Sequence, residues 1–117
     1  MRVFVYRNLH KGCYSVRAEE GPDKGRVVAH SEHVLLGGVT PKVSAAGRDR
    51  VRRERRKNVH AGLTGELLSL EEQDFIGSKV TYNPYRADGF VYATTEAPFA
   101  GSPEVYLSDS GVRAMAN

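Results

Sequence analysis

Seven cations fall within one short stretch of the chain, and six of them are arginine: Arg48, Arg50, Arg52, Arg53, Arg55, Arg56 and Lys57. Guanidinium groups bind phosphate and carboxylate through paired hydrogen bonds and lie flat on aromatic rings, which ammonium does poorly. Only two anions, Asp49 and Glu54, share the segment 44–60, so it carries a net +5 in a chain whose total is +3. The remainder is slightly acidic, at −2, and the whole basic excess sits in one block. On a helix, Arg48, Arg52, Arg55 and Arg56 form one stripe, and Arg50, Arg53 and Lys57 a second. Such rows suit rows of phosphate and the release of their counterions. The competing reading is a solvated helix laced with ion pairs, since Arg50–Glu54 and Asp49–Arg53 both have i,i+4 spacing. Two anions cannot balance seven cations. Arg48, Arg52, Arg53, Arg55, Arg56 and Lys57 are therefore the expected contacts to nucleic acid or to an acidic protein surface. Tyr85, in a Pro-Tyr-Arg loop, is the aromatic residue expected to be exposed and to join them.

Other chemistry is weaker. In His30-Ser31-Glu32-His33, a strand puts His30 and Glu32 on one face and His33 on the other, and no third ligand can be placed, so no metal site is expected. Cys13 lies at a strand start between Gly12 and Tyr14 and reads as a small hydrophobe rather than a nucleophile. No Gly-x-Ser-x-Gly, phosphate loop or dinucleotide fingerprint occurs. An RNase using His10, His60 and an arginine is chemically feasible, but nothing in the spacing selects it. No catalytic residue and no cofactor is expected.

The elements that must position these groups are mostly strands. Val3-Phe4-Val5-Tyr6 opens the chain as a β-branched and aromatic run. Residues 13–18 alternate with period two, 21–25 form a Gly-Pro turn, and 26–30 return as the partner strand. Residues 33–36 follow, and Gly37-Gly38 breaks them. Pro41 marks 39–43 as an edge strand or an extended connector. Ser44 is the expected N-cap of a helix over 45–58, ended by a left-handed Asn58. In that helix Val51 is the sole apolar residue after Arg48, so its buried seam is thin. A strand over 59–67 comes next. Val59, Ala61, Leu63 and Leu67 are expected to be buried on it, and His60, Thr64 and Glu66 exposed. Ser69 and Glu72 have capping-box spacing, which allows one helical turn. Further strands are expected at 79–82, 90–93, 104–107 and 112–115. Tyr82, Phe90, Tyr92 and Tyr106 read mostly as packing residues.

This pattern predicts an α+β, mainly-β single domain over 1–117. The expected architecture is a small barrel or sandwich of six to eight short strands with one substantial helix, about 45–58. At 117 residues, 40% hydrophobic and 26% charged, the chain can bury a core without a staple. Its single cysteine cannot form an internal disulfide or a cysteine-based zinc site. No apolar run reaches the ~20 residues of a membrane span. Met1-Arg2-Val3-Phe4 does not read as a signal peptide, so a cytoplasmic protein without membrane contact is expected.

Several blocks occur in a telling order: Asn8-Leu9-His10-Lys11, Lys24-Gly25-Arg26-Val27, Val43-Ser44 with Gly47-Arg48, Arg56-Lys57-Asn58-Val59-His60-Ala61, and Tyr82-Asn83-Pro84-Tyr85. Together they resemble a family of small uncharacterised proteins of tailed bacteriophages and prophages. That resemblance implies a source in the cytoplasm of a bacterial host and supplies no activity, cofactor or site. The expected function is a phage accessory protein that binds nucleic acid, DNA or RNA, through its Arg-rich helix. The alternative is an inhibitor that docks on an acidic host protein, and an RNase-like enzyme comes third.

Overall fold

The chain forms nine antiparallel strands, described over residues 1–115 in a computed structural model. They are β1 (Arg2–Asn8), β2 (Cys13–Ala18), β3 (Val27–Ser31), β4 (Val34–Val43), β5 (Ala61–Ser69), β6 (Ser78–Thr81), β7 (Val91–Tyr92), β8 (Ser102–Ser108) and β9 (Gly111–Ala114). One helix, α1 (Ala45–Glu54), lies between β4 and β5. The strands form one sheet in the order β3-β2-β1-β5-β4-β8-β9-β6-β7. Two residues, Glu32 and His33, join β3 to β4, although three strands separate them in the sheet. A connection that short requires the sheet to roll up so that its halves face each other. The Tyr14 hydroxyl on β2 accordingly donates to the Ser108 carbonyl of β8 at 2.8 Å. The result is the sandwich-like, mainly-β domain expected, with nine strands rather than six to eight.

The enclosed core combines Val3, Val5 and Val16 from one half with Leu36, Leu63, Val105 and Leu107 from the other. Burial of this apolar surface is the main stabilising term. The Gly37-Gly38 break is a bulge and not a strand end. Gly37 pairs with Glu66 and Thr40 with Thr64, so β4 carries one extra residue there, with Gly38 at φ 54°. The extra residue shifts the parity of the strand. Leu36 and Val39, three positions apart, both reach the core as a result. Pro41 therefore sits in a continuous internal strand, but pairing with β8 ends at Val39, so β4 has only β5 as a neighbour where the proline lies.

Two expected exposures on the 59–67 strand are corrected. Val59 lies before β5 and is 57% exposed. Thr64 is buried, because the middle of β5 is covered on both faces: its hydroxyl meets Thr40 Oγ1 at 2.9 Å and accepts from Arg2 Nη2 at 3.3 Å. On that second face Phe4 lies over Gly62, where a Cβ would come within 2.6 Å of its ring. The Arg17 guanidinium covers the Phe4 ring at 4.5 Å. Leu63 is buried as expected, and Ala61, Leu67 and His60 are half-buried. Residues 69–72 make no helical turn. Ser69 Oγ instead accepts from the Glu71 amide at 3.0 Å and from Gln73 Nε2 at 3.2 Å.

Candidate functional site

The basic block is an excursion from a β-hairpin. Val43 at the end of β4 pairs with Ala61 at the start of β5. One rung further, the Ser44 amide donates to the His60 carbonyl at 2.8 Å and closes the neck. Everything between is a loop that begins as a helix. Ser44 Oγ accepts from the Gly47 amide at 3.1 Å, the N-cap bond expected of it. Gly47 is needed because a Cβ there would lie 2.5 Å from the His60 Cβ, so the first turn packs directly on the neck.

The helix stops four residues short of the expected 58. Arg55, not Asn58, takes the left-handed conformation, at φ 57° and ψ 30°, and its amide donates to the Val51 carbonyl at 2.9 Å. The reason lies in the packing. Val51 is the buried residue of α1, and no apolar side chain follows in the next turn to hold 55–58 against the protein. Residues 55–60 run on without regular structure, and 55–59 are exposed.

The expected stripe of Arg48, Arg52, Arg55 and Arg56 is thus divided. Its first half turns inward onto the loop 83–88. Asn83 organises that loop: its Oδ1 accepts from the Tyr85 amide at 2.9 Å, and its carbonyl accepts from the amides of Arg86 and Ala87 at 3.1 Å each. The turn presents carbonyls to the helix. Arg48 Nη1 donates to the Asp88 carbonyl at 3.0 Å, and Arg52 donates through Nε to the Pro84 carbonyl and through Nη2 to the Ala87 carbonyl. Asp88 Oδ1 lies 3.7 Å from Arg48 Nη2 and 3.5 Å from Arg52 Nη2. The Arg48 side chain is 16% exposed and Arg52 is 37% exposed. These two residues secure the helix to the loop.

The second half faces outward. Arg53, Arg55, Arg56 and Lys57 are exposed, and among the described residues none has an ion pair or a side-chain hydrogen bond. Arg53 adds its charge to the C-terminal end of α1, where the helix dipole favours cations. Arg50 is also exposed but faces Glu54 Oε2 at 3.7 Å. The Arg55 guanidinium stands 5.6 Å over the ring of Tyr85. Tyr85 is 51% exposed, as expected, and its hydroxyl donates to the Val51 carbonyl at 3.3 Å. The arginine segment and the tyrosine are therefore one surface, with Arg86 exposed next to the tyrosine. None of the acidic residues after the long strand, Glu71, Glu72 or Asp74, is paired with it.

Behind this surface the His60 Nε2 and Tyr82 hydroxyl meet at 2.7 Å, and Tyr82 stacks on Phe90 with centroids 5.1 Å apart. Burial pushes the Tyr82 phenol above its ordinary range, against the pull of Arg48 and Arg52, which favour the phenolate. The other histidines go elsewhere. His30 Nδ1 meets Ser15 Oγ at 3.1 Å, His33 Nδ1 meets the Tyr106 hydroxyl at 2.7 Å, and His10 lies in the β1–β2 turn. Among the described residues no three histidine, cysteine or carboxylate side chains gather as metal ligands. Cys13 is half-buried. No helix of the described residues is long and apolar enough to cross a membrane.

The residues that sequence reasoning missed are Asp88 and the carbonyls of Pro84, Ala87 and Asp88. No spacing rule links 48 and 52 to 84–88. The Pro-Tyr-Arg loop around Tyr85 was legible, but not what it would face.

Comparison with known proteins agrees with the phage resemblance. The family model described as Mycobacterium phage L5 gene 82 protein matches residues 1–115. The Gene 82 protein of Mycobacterium phage L5 is 62% identical over 120 residues, covering 97% of this chain and 95% of that protein. No solved structure matches the chain. With its whole described length matched by the family model and nearly all of it by a relative of similar size, the chain belongs to the phage protein family of Mycobacterium phage L5 gene 82 protein.

Proposed function

We propose that the protein binds nucleic acid in the cytoplasm of the phage's bacterial host, through the exposed segment Arg53, Arg55, Arg56 and Lys57 together with Tyr85. The observation that carries this reading is that four adjacent cations stand free of the protein's own carboxylates among the described residues, on a loop whose neck and helix are anchored. Unpaired guanidinium groups suit phosphate, because binding displaces condensed counterions and breaks no ion pair within the protein. Arg48 and Arg52 belong to the support rather than to the outward surface.

The test is a salt-dependent binding titration with random duplex DNA, single-stranded DNA and RNA. The variant Arg53→Ala/Arg55→Asn/Arg56→Ala/Lys57→Ala keeps Arg48 and Arg52, and asparagine tolerates the left-handed backbone at 55. It should bind all sequences more weakly. The slope of log K against log salt should fall by about 0.9 per lost contact on duplex DNA and about 0.7 on single strands. Equal binding by parent and variant refutes the reading.

A second reading, docking on an acidic host protein as an inhibitor would, is favoured by Val59, which stands exposed just beyond the cations. Arginine beside apolar and tyrosyl surface is the composition of protein interfaces. Specific capture of a host protein by the parent and not by the variant, with no nucleic-acid binding by either, selects it.

A further inference from the structure

A cavity opens beside the basic surface, between the end of β4 and the loop after Asn83. Its volume is about 480 Å³, and its walls include Pro41, Val43, Phe90, Pro98 and Phe99, with Asp88 among the lining residues. That size falls within the range of small-molecule sites, which runs from about 300 to 1,000 Å³. Phe90 brings an aromatic ring to it, and Tyr82, which does not line this cavity, is stacked on that ring with an interplanar angle of 28°.

The charge beside the cavity is only loosely paired. Arg48 and Arg52 share the Asp88 carboxylate at 3.7 and 3.5 Å, and Asp49 Oδ1 lies 3.9 Å from Arg48 Nη2, all longer than good charge-assisted hydrogen bonds. Asp88 is 83% exposed, so water competes for it. The Arg48 Nε is buried without a hydrogen-bond partner among the described residues. Two guanidinium groups therefore face only exposed, loosely held carboxylates, Asp88 and Asp49, next to an apolar slot lined by an aromatic ring. A ligand that satisfies both parts carries a flat ring on one side and a strong anion on the other.

We propose that this cavity receives one unstacked base of a single nucleic-acid strand, with the adjoining phosphate competing with Asp88 for Arg48 and Arg52. The inference rests on the nucleic-acid reading above and narrows it to single strands. A base within a duplex is already stacked and paired, whereas a single strand can present a base to an aromatic ring and keep its phosphates on neighbouring cations. Asp88 then acts as a built-in competitor: a backbone phosphate carries the same single charge on two free oxygens, so it displaces the exposed carboxylate through the added stacking of the base held in the cavity.

The experiment uses the full chain and short DNA and RNA strands bearing one 2-aminopurine, alone and annealed to their complements. The parent is expected to bind single strands at least tenfold more tightly than duplex and to quench the 2-aminopurine emission. Phe90→Leu, checked for folding by circular dichroism, should abolish the quenching and weaken single-strand binding about 5- to 100-fold, with duplex binding and the salt slope unchanged. Asp88→Asn should tighten single-strand binding several-fold. If Phe90→Leu fails to fold, Asp88→Asn carries the test, and unchanged or weaker binding overturns the proposal. Single strands and duplex bound alike, with no change in emission, overturn the base site and leave the phosphate surface standing. Binding of neither form by the parent removes the nucleic-acid reading and this inference with it.

Discussion

Arg52 and Arg53 are adjacent in sequence and should behave oppositely when truncated. Arg52→Ala removes two hydrogen bonds from a cation to the loop carbonyls of Pro84 and Ala87, and one ion pair with Asp88. A hydrogen bond to a charged group contributes about 1.5–3 kcal/mol. The low end applies here because the side chain is 37% exposed, and the bond to Ala87, at 3.4 Å, is too long to add much. The Asp88 pair adds little, since an ion pair with so exposed a partner is screened by water. Alanine's helix propensity offsets a few tenths of a kcal/mol. The expected net loss is about 1–2 kcal/mol. With an m value of about 1–2 kcal/mol/M for a small domain, the urea midpoint should fall by about 1 M at unchanged m. Arg53→Ala removes no such contact and should stay within about 0.5 kcal/mol of the parent. The two variants, followed by circular dichroism through urea titrations, form the core comparison. An Arg52→Ala midpoint equal to the parent's refutes the anchoring role. A double-mutant cycle with Asp88→Ala refines it: a coupling of about 2 kcal/mol or more would mean that the carboxylate, and not the carbonyls, holds the helix.

Three further outcomes are expected. Leu63→Ala empties a site at the centre of the core and should cost about 2–5 kcal/mol by chemical denaturation; a cost near zero would contradict the packing of β5 against β1 and β4. Arg55→Asn relieves a left-handed residue that carries a full side chain, so the urea midpoint should rise by the equivalent of up to about 1 kcal/mol while any phosphate affinity falls; a lower midpoint would show that the contact with Tyr85 outweighs the backbone strain. Burial raises the Tyr14 phenol above its ordinary value near 10, the nearby Arg7 charge opposing the shift. The folded state therefore keeps a proton that the unfolded chain has lost, so this contribution is whole below pH ~10 and is lost as pH rises through the higher folded value. Urea midpoints from pH 8 to 11 should fall less steeply for Tyr14→Phe than for the parent, and parallel slopes would argue against a raised Tyr14.

Much of this protein was legible without coordinates, because alternation and capping are local. Period two in 13–18, the β-branched and aromatic start at Val3, and the Ser44 cap each act within a few residues, and each was read correctly. The block of arginines is likewise a property of composition, and the five blocks between Asn8 and Tyr85 together pointed to the phage family. What failed depended on partners distant in the chain. The helix ends at Glu54 because nothing beyond Val51 finds an apolar neighbour, although Arg55, Arg56 and Lys57 have good helical propensity. Thr64 is buried because Phe4 and Arg17, brought alongside by strand pairing, roof the second face of β5. Gly37-Gly38 becomes a bulge instead of a break because β5 pairs across it. Above all, the loop 83–88 is what divides the cations, turning Arg48 and Arg52 into anchors, while Arg50 pairs with Glu54 and Arg53, Arg55, Arg56 and Lys57 are left outside. A side chain's charge is written in the sequence. Whether that charge is spent on the protein itself or left for a partner depends on which carbonyls and carboxylates folding places within reach, and only the tertiary structure decides that.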